Sequence, residues 1–103
     1  MIHHLKILPE YFEAIVRGEK PFELRSERGR RFARGDVLVL REVRPDLLEL
    51  AEATHDETIL YTGRSVEVEV VGEPLRDTTW LQPGIAALGI RVLQVFPAGQ
   101  ATP

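Results

Sequence analysis

The residues best suited to chemistry lie close together in the segment GEKPFELR, residues 18–25. Glu23 and Arg25 alternate with apolar residues on a predicted strand, so they share one face and lie about 7 Å apart. Lys20 comes directly before that strand. An ammonium, a carboxylate and a guanidinium at one place offer both donors and an acceptor to a polar ligand such as a nucleobase, with a phosphate nearby. The alternative is an ordinary Glu23–Arg25 ion pair beside an exposed lysine.

Other candidates for catalysis or metal binding have weaker patterns. His3 and His4 are neighbours on a predicted strand and point to opposite faces, so they are poorly placed to bind one metal ion together. We expect His4 to be buried and His3 exposed, with no metal site and no cofactor. Glu67 and Glu69 could form a two-carboxylate site, but their alternation with valines is typical of the solvent face of a strand. The absence of cysteine excludes disulfides, thiolate nucleophiles and cysteine-based zinc sites.

Charge is distributed unevenly along the chain. Its 103 residues carry a net charge of −3 and are enough for one domain. Residues 17–34 hold seven basic and three acidic residues, which gives +4, whereas residues 42–77 hold ten acidic and three basic residues, which gives −7. A basic patch on an acidic protein indicates a specific anionic partner, or else an ordinary salt-bridged surface. There is no apolar run long enough to span a bilayer and no signal peptide, so we expect a cytoplasmic protein that does not contact membranes.

The N-terminal half predicts a strand, a helix and two further strands. Residues 2–7 have strand character, and Pro9 suits a first helical turn. Phe12, Ile15 and Val16 recur at helical spacing, and Gly18 is a typical helix end. Residues 21–25 alternate as a strand with Phe22 and Leu24 facing inward. The arginine-rich segment 26–34 is a predicted loop, Gly35-Asp36 a turn, and 37–43 a central strand.

The C-terminal half predicts mostly strands. Residues 44–57 break the strand pattern, and Leu47, Leu50 and Ala51 indicate a short helix or turn. Residues 58–61 return to strand character, Thr62-Gly63 suggests a turn, and 65–71 place Val66, Val68 and Val70 toward the core. A loop is predicted over 72–84, with Trp80 as a lid on the core, followed by a long strand over 85–96.

These elements predict an α+β, mostly β fold. Five or six short strands with one early helix favour a small, mostly antiparallel β-barrel with that helix packed against it. Strands and helices do not alternate, which argues against a doubly wound parallel sheet. We expect a single domain over residues 1–96 and a disordered tail over 97–103.

The 18–25 segment resembles the signature of the ASCH domain family, Gly-x-Lys-x-x-x-x-Arg, in which Gly18, Lys20 and Arg25 match and Glu23 is found in many members. Segments 5–12, 32–38, 61–64 and 84–90 are similar to a compact, uncharacterised bacterial and phage branch of that family. The resemblance covers about residues 2–93. It implies a PUA-like β-barrel with a cleft beside the helix, lined by the signature, and an RNA- or nucleotide-associated role.

As an RNA- or nucleotide-binding module, the chain would donate hydrogen bonds from Lys20 and Arg25 to phosphate or base acceptors. Glu23 would accept a hydrogen bond from an exocyclic amine. Exposed arginines would hold the RNA backbone, and Tyr61, beside the 62–64 turn, would stack on a base. The candidate ligand-binding residues are Gly18, Lys20, Glu23, Arg25, Arg28, Arg30, Arg31, Arg34, Tyr61 and Arg64.

Two alternatives stay open. One ASCH branch hydrolyses acetylated cytidine with a lysine that activates a threonine, and this resemblance suggests a metal-independent amidohydrolase acting on an acylated nucleoside. Lys20 matches the lysine, but Glu23 stands at the threonine position, so Glu23 would act as the base and Lys20 would stabilise an oxyanion. The second alternative is a protein-interaction domain that uses the acidic segment 44–57.

Overall fold

The computed structural model describes residues 1–99. They form five strands and two α-helices, with a single turn of 3₁₀ helix on each side of the second helix. The strands are β1 (Ile2–Ile7), β2 (Phe22–Ser26), β3 (Val37–Val43), β4 (Tyr61–Leu75) and β5 (Ile85–Phe96), and the helices are α1 (Pro9–Val16) and α2 (Leu48–Thr54). Within this range no helix is long and apolar enough to cross a membrane. Of the tail predicted to be disordered, residues 100–103 lie outside the described residues.

All five strands belong to one sheet in the order β1-β3-β4-β5-β2. The sheet curls into a half-barrel, which confirms the mostly β, α+β prediction. β1 runs parallel to β3, and the other three pairings are antiparallel. Because β1 and β2 are the two edges of a curled sheet, they approach each other across its open side, and this open side is where the cleft described below lies.

The concave face of the sheet carries the main core. Val66, Val68 and Val70 point into it as their alternation predicted. From α1, Phe12 and Ile15 join the same buried cluster, whereas Val16 is partly exposed. The helix ends as the sequence predicted: Gly18 adopts φ +77°, a conformation that glycine tolerates best, and its N–H donates to the Ile15 carbonyl at 3.0 Å.

β4 is longer than predicted at both ends. Of the strand predicted over 58–61, only Tyr61 belongs to β4. Residues 58 and 59 lie in a 3₁₀ turn over Glu57–Ile59, where the Asp56 carboxylate accepts a hydrogen bond from the Thr58 N–H. Thr62 and Gly63 lie within β4, where an irregularity in the pairing with β3 accommodates the φ of +94° at Gly63. At the other end the strand continues to Leu75 through a second irregularity, so the loop spans only residues 76–84.

The segment 44–57 forms the predicted short helix, but most of its apolar side chains are not buried. Ala51 packs with Val43 and Leu60 in a small second cluster, while Leu50 stays exposed. The prediction for Trp80 was wrong, because its side chain is 91% exposed at the tip of the 76–84 loop and covers no core residue.

Candidate functional site

Strand β2 turns its charged face, not its apolar face, toward the inside of the sheet. Glu23 lies opposite the buried Leu88 of β5, and its side chain is only 4% exposed. Phe22 and Leu24, predicted to face inward, are about half exposed. A two-residue alternation shows which residues share a face but not which face is buried. Here two basic neighbours compensate the negative charge of the buried carboxylate.

These basic neighbours are Lys20 and Arg25, as the sequence indicated. The Lys20 ammonium donates to Glu23 Oε1 and, at 2.9 Å, to the Phe22 carbonyl. The Arg25 Nε donates to Glu23 Oε2 at 2.6 Å. Lys20 is therefore not the exposed neighbour of a simple Glu23–Arg25 pair, because its side chain is 17% exposed and shares the same carboxylate. The cluster carries a net charge of +1.

Arg25 also connects the two edges of the sheet. Its Nη2 donates to the main-chain carbonyl of Lys6 in β1 at 2.9 Å. Beside this contact lies a cleft of about 500 Å³. The residues lining it come from the end of β1, the first turn of α1, and β2 with the residues before it: Lys6, Ile7, Leu8, Tyr11, Lys20, Phe22, Glu23, Leu24 and Arg25.

Two aromatic side chains in this cleft were missed by the sequence prediction. Tyr11 and Phe22 are each about half exposed, and the Lys20 Nζ lies 5.4 Å from the first ring centroid and 5.1 Å from the second. Tyr11 lies directly before Phe12 in α1, off the apolar face of the helix. This position carries little signal in the sequence, because a single apolar side chain outside the core is common on protein surfaces.

The cleft is better arranged for binding than for acid–base catalysis. Lys20 uses two of its three N–H donors within residues 1–99, and Arg25 uses two of its five, so both retain donors for a ligand. Both oxygens of Glu23 already accept a hydrogen bond from a basic side chain, so the carboxylate is held by Lys20 and Arg25 instead of facing a substrate alone. No group of three or more His, Asp or Glu residues within 1–99 is placed to hold a metal ion. The amidohydrolase alternative stays a prediction, tested by adding acetylcytidine to wild type and Lys20→Ala.

A comparison with protein families matches residues 2–90 to one described as a domain of unknown function, DUF3850. The chain belongs to the DUF3850 family. The match includes every residue that lines the cleft and ends within β5. A search of curated proteins found no match.

The four arginines of the loop after β2 are all exposed in this DUF3850 chain. Arg28, Arg30, Arg31 and Arg34 extend from a loop whose backbone is held by Glu27. The Glu27 carboxylate accepts two bonds from Arg76, at 2.7 and 2.9 Å, and one from the Phe32 N–H at 3.0 Å. The loop therefore presents exposed basic side chains on an anchored backbone.

Three other predicted ligand-binding residues of this DUF3850 chain do not line the cleft, and one of them is Gly18, which follows the end of α1. Arg64 donates two bonds to the buried Glu42, at 2.8 and 2.6 Å, and its Nη1 lies 2.8 Å from Glu13 of α1. Tyr61 lies on the outer side of the sheet, where the Arg41 guanidinium packs over its ring. Arg64 therefore links β3, β4 and α1, and no contact in residues 1–99 brings it to Lys20.

The histidine assignments were reversed. His3 is buried and its Nε2 lies 2.8 Å from Asp36 Oδ2, whereas His4 is exposed. The odd-numbered residues of β1 face the core, and Asp36 provides a polar partner there. Burial opposes ionisation of Asp36, but bonds from His3, the Ala33 N–H and the N-terminal ammonium hold its pKa below the ordinary value.

Stability of this DUF3850 domain should decrease in acid. The Arg64 hydrogen bond lowers the pKa of Glu42, and the Arg76 hydrogen bond lowers that of Glu27. A carboxyl with a lowered pKa in the folded state takes up protons first in the unfolded chain, so protonation favours unfolding. We expect a melting temperature that is nearly constant from pH 7 to about pH 5 and falls below about pH 4.5. Thermal unfolding across this range checks it. Glu42→Gln should show a shallower fall, and a melting temperature that rises below pH 4.5 would contradict the prediction.

Proposed function

We propose that this chain binds a nucleotide or a short stretch of RNA in the cleft between β1 and β2. The observation that carries the proposal is a buried carboxylate shared by Lys20 and Arg25 beside two half-exposed aromatic rings. A nucleotide combines a planar ring with polar edges and a phosphate. The cleft offers a matching surface for each part.

The aromatic rings supply a surface for the base. The Lys20 Nζ lies 5.4 Å from the centroid of the Tyr11 ring and 5.1 Å from that of Phe22, so a base that stacks on one of these rings is within reach of the charged cluster. Stacking of one base on an aromatic side chain contributes about 1–3 kcal/mol and does not depend strongly on which base is bound.

The charged cluster supplies orientation. The remaining N–H donors of Lys20 and Arg25 would contact phosphate or base oxygens, and the free lone pairs of Glu23 would accept from an exocyclic amine. The three side chains hold one another in place, so less conformational entropy is lost on binding than with unpaired surface side chains.

The exposed arginines Arg28, Arg30, Arg31 and Arg34 would strengthen binding without reading sequence, by contacting phosphates. We further assign the fold to the PUA-like, ASCH-related class and the protein to the cytoplasm. The fold assignment is supported by the position of the signature residues Lys20, Glu23 and Arg25 at one cleft in a curled sheet, whereas the cytoplasmic location stays a prediction from the sequence.

Fluorescence anisotropy with pooled short RNAs, each at two salt concentrations, tests the proposal. Lys20→Ala and Arg25→Ala should each weaken binding at least tenfold, because each removes a charge-assisted donor from the cleft. Arg17→Ala is the matched control: it removes the same charge from an exposed site next to α1, and we expect less than a twofold change. Equal affinity for all four proteins would rule out the cleft, and no binding by wild type at low salt would rule out RNA.

A further inference from the structure

A second, smaller cavity lies on the outer side of β1. It measures about 390 Å³ and is lined by His4, Leu5, Lys6, Arg30, Arg41, Glu57 and Tyr61. Lys6 donates to Glu57 at 3.1 Å, which leaves the charges of Arg30 and Arg41 uncompensated within the cavity and gives it a net charge of +2 when His4 is neutral. An anion is therefore the favoured occupant.

Arg41 differs from the other partly buried arginines. Arg25, Arg64 and Arg76 each donate to a carboxylate, whereas no acceptor within residues 1–99 bonds the guanidinium of Arg41. Its Cζ lies 3.8 Å from the centroid of the Tyr61 ring, which holds the guanidinium by stacking and leaves its N–H groups available. A planar guanidinium fixed in this way matches two oxygens of one phosphate.

Lys6 joins this cavity to the cleft. Among residues 1–99 it alone lines both, and its carbonyl accepts the hydrogen bond from Arg25. β1 is an edge strand of the sheet, so its outer edge is not paired with another strand. Lys6 pairs with Arg41 of β3, and neighbouring strands lie about 5 Å apart, so a nucleic-acid strand whose base occupies the cleft would reach Arg41 by crossing the β1 edge.

We propose that the Arg41 cavity is a second subsite, which binds a phosphate of the same RNA strand whose base occupies the cleft. This inference rests on the proposed function. Arg41 would form the direct contacts, Tyr61 would hold Arg41 in place, and Arg30 would add the second uncompensated positive charge. The subsite raises the affinity only for ligands of more than one nucleotide. It gives Tyr61 a positioning role instead of the stacking role expected from the sequence.

The test measures affinity for random-sequence RNA of one, two and four nucleotides, with wild type, Arg41→Ala, Arg41→Lys and Lys20→Ala. For wild type we expect about a tenfold gain in affinity from one to four nucleotides. Arg41→Ala should lose that gain while keeping mononucleotide affinity within twofold, and Arg41→Lys should recover less than half of it because a lysine lacks the stacked fork. Lys20→Ala should bind RNA of all three lengths weakly. Arg91→Ala, which removes an exposed charge from β5, is the matched control and should behave as wild type.

The two proposals fail in different ways. If Arg41→Ala keeps the full gain in affinity with RNA length while Lys20→Ala still loses mononucleotide binding, the proposal of a second subsite is wrong. The cleft then remains the proposed binding site. If Lys20→Ala binds mononucleotide as wild type does, or wild type binds no RNA, the proposed function is wrong and the subsite with it. Melting temperatures close to wild type for Arg41→Ala and Arg41→Lys show that the losses are not due to unfolding.

Discussion

Glu42→Ala is expected to lower the free energy of unfolding by about 2–3 kcal/mol. The Glu42 side chain is 3% exposed and accepts from the Thr62 hydroxyl at 2.7 Å and twice from Arg64. Its removal leaves Arg64 packed over the Phe12 ring with only Glu13 as a counter-charge. Breaking a buried ion pair from one side costs up to about 5 kcal/mol, but Arg64 is one-third exposed and water partly replaces the lost partner, so the lower end applies.

Urea unfolding of Glu42→Ala and of a control measures this effect. Glu57→Ala is suitable because it also removes one carboxylate and one ion pair, yet both Glu57 and Lys6 are about half exposed or more. The control should change stability by less than about 0.5 kcal/mol. Equal midpoints for Glu42→Ala and wild type would show that the Glu42–Arg64–Glu13 cluster does not hold α1 to the sheet.

The regular elements were predictable because their local patterns agree with their final environment. The valines at 66, 68 and 70 alternate on a strand with one buried face, and β5 has the bounds 85–96 that its composition predicted. Pro9 and Gly18 mark the two ends of α1 because each fits a backbone position there that other residues tolerate less well. Local preference and tertiary structure coincide at these places.

The failures occur where a distant partner decides the outcome. Glu23 faces inward because Lys20 and Arg25 neutralise it, and no hydrophobic pattern reports such compensation. Thr62 and Gly63 have turn chemistry, but pairing with β3 keeps them in the strand. Arg64 is separated by 22 residues from Glu42, so the sequence could not show that the arginine is already bound.

The candidate site was predictable only in the part whose contacts are local in the sequence. Lys20, Glu23 and Arg25 are close in sequence, and their contacts follow from a turn and one strand. Tyr11, Phe22 and Lys6 reach the cleft only because the curled sheet brings β1 and α1 beside β2. A reader of the sequence can therefore find the charged cluster but not the aromatic surface next to it.

The cluster formed by Lys20, Glu23 and Arg25 gives the second large expected effect. Glu23→Ala should lower the free energy of unfolding by about 2–3 kcal/mol, because it leaves two cations side by side at a largely buried position. The triple variant Lys20→Met, Glu23→Leu, Arg25→Met should return to within about 1 kcal/mol of wild type or exceed it, since apolar side chains of similar volume avoid the desolvation cost of a buried ion cluster. Affinity for RNA should fall at least thirtyfold in the triple variant.

This combination separates a functional cluster from a structural one. A stable triple variant that no longer binds means that the chain retains a costly ion cluster for its ligand, not for its fold. A triple variant as unstable as Glu23→Ala would show that the charges are needed to hold β2 in place. A triple variant that still binds RNA would show that the cluster is not part of the binding site. Urea unfolding and anisotropy on the same preparations give both quantities. The Arg25–Lys6 hydrogen bond is lost in the triple variant but kept in Glu23→Ala. Loss of that bond alone would make the triple variant the less stable of the two. We expect the triple variant to be the more stable one, so the bond cannot explain that result.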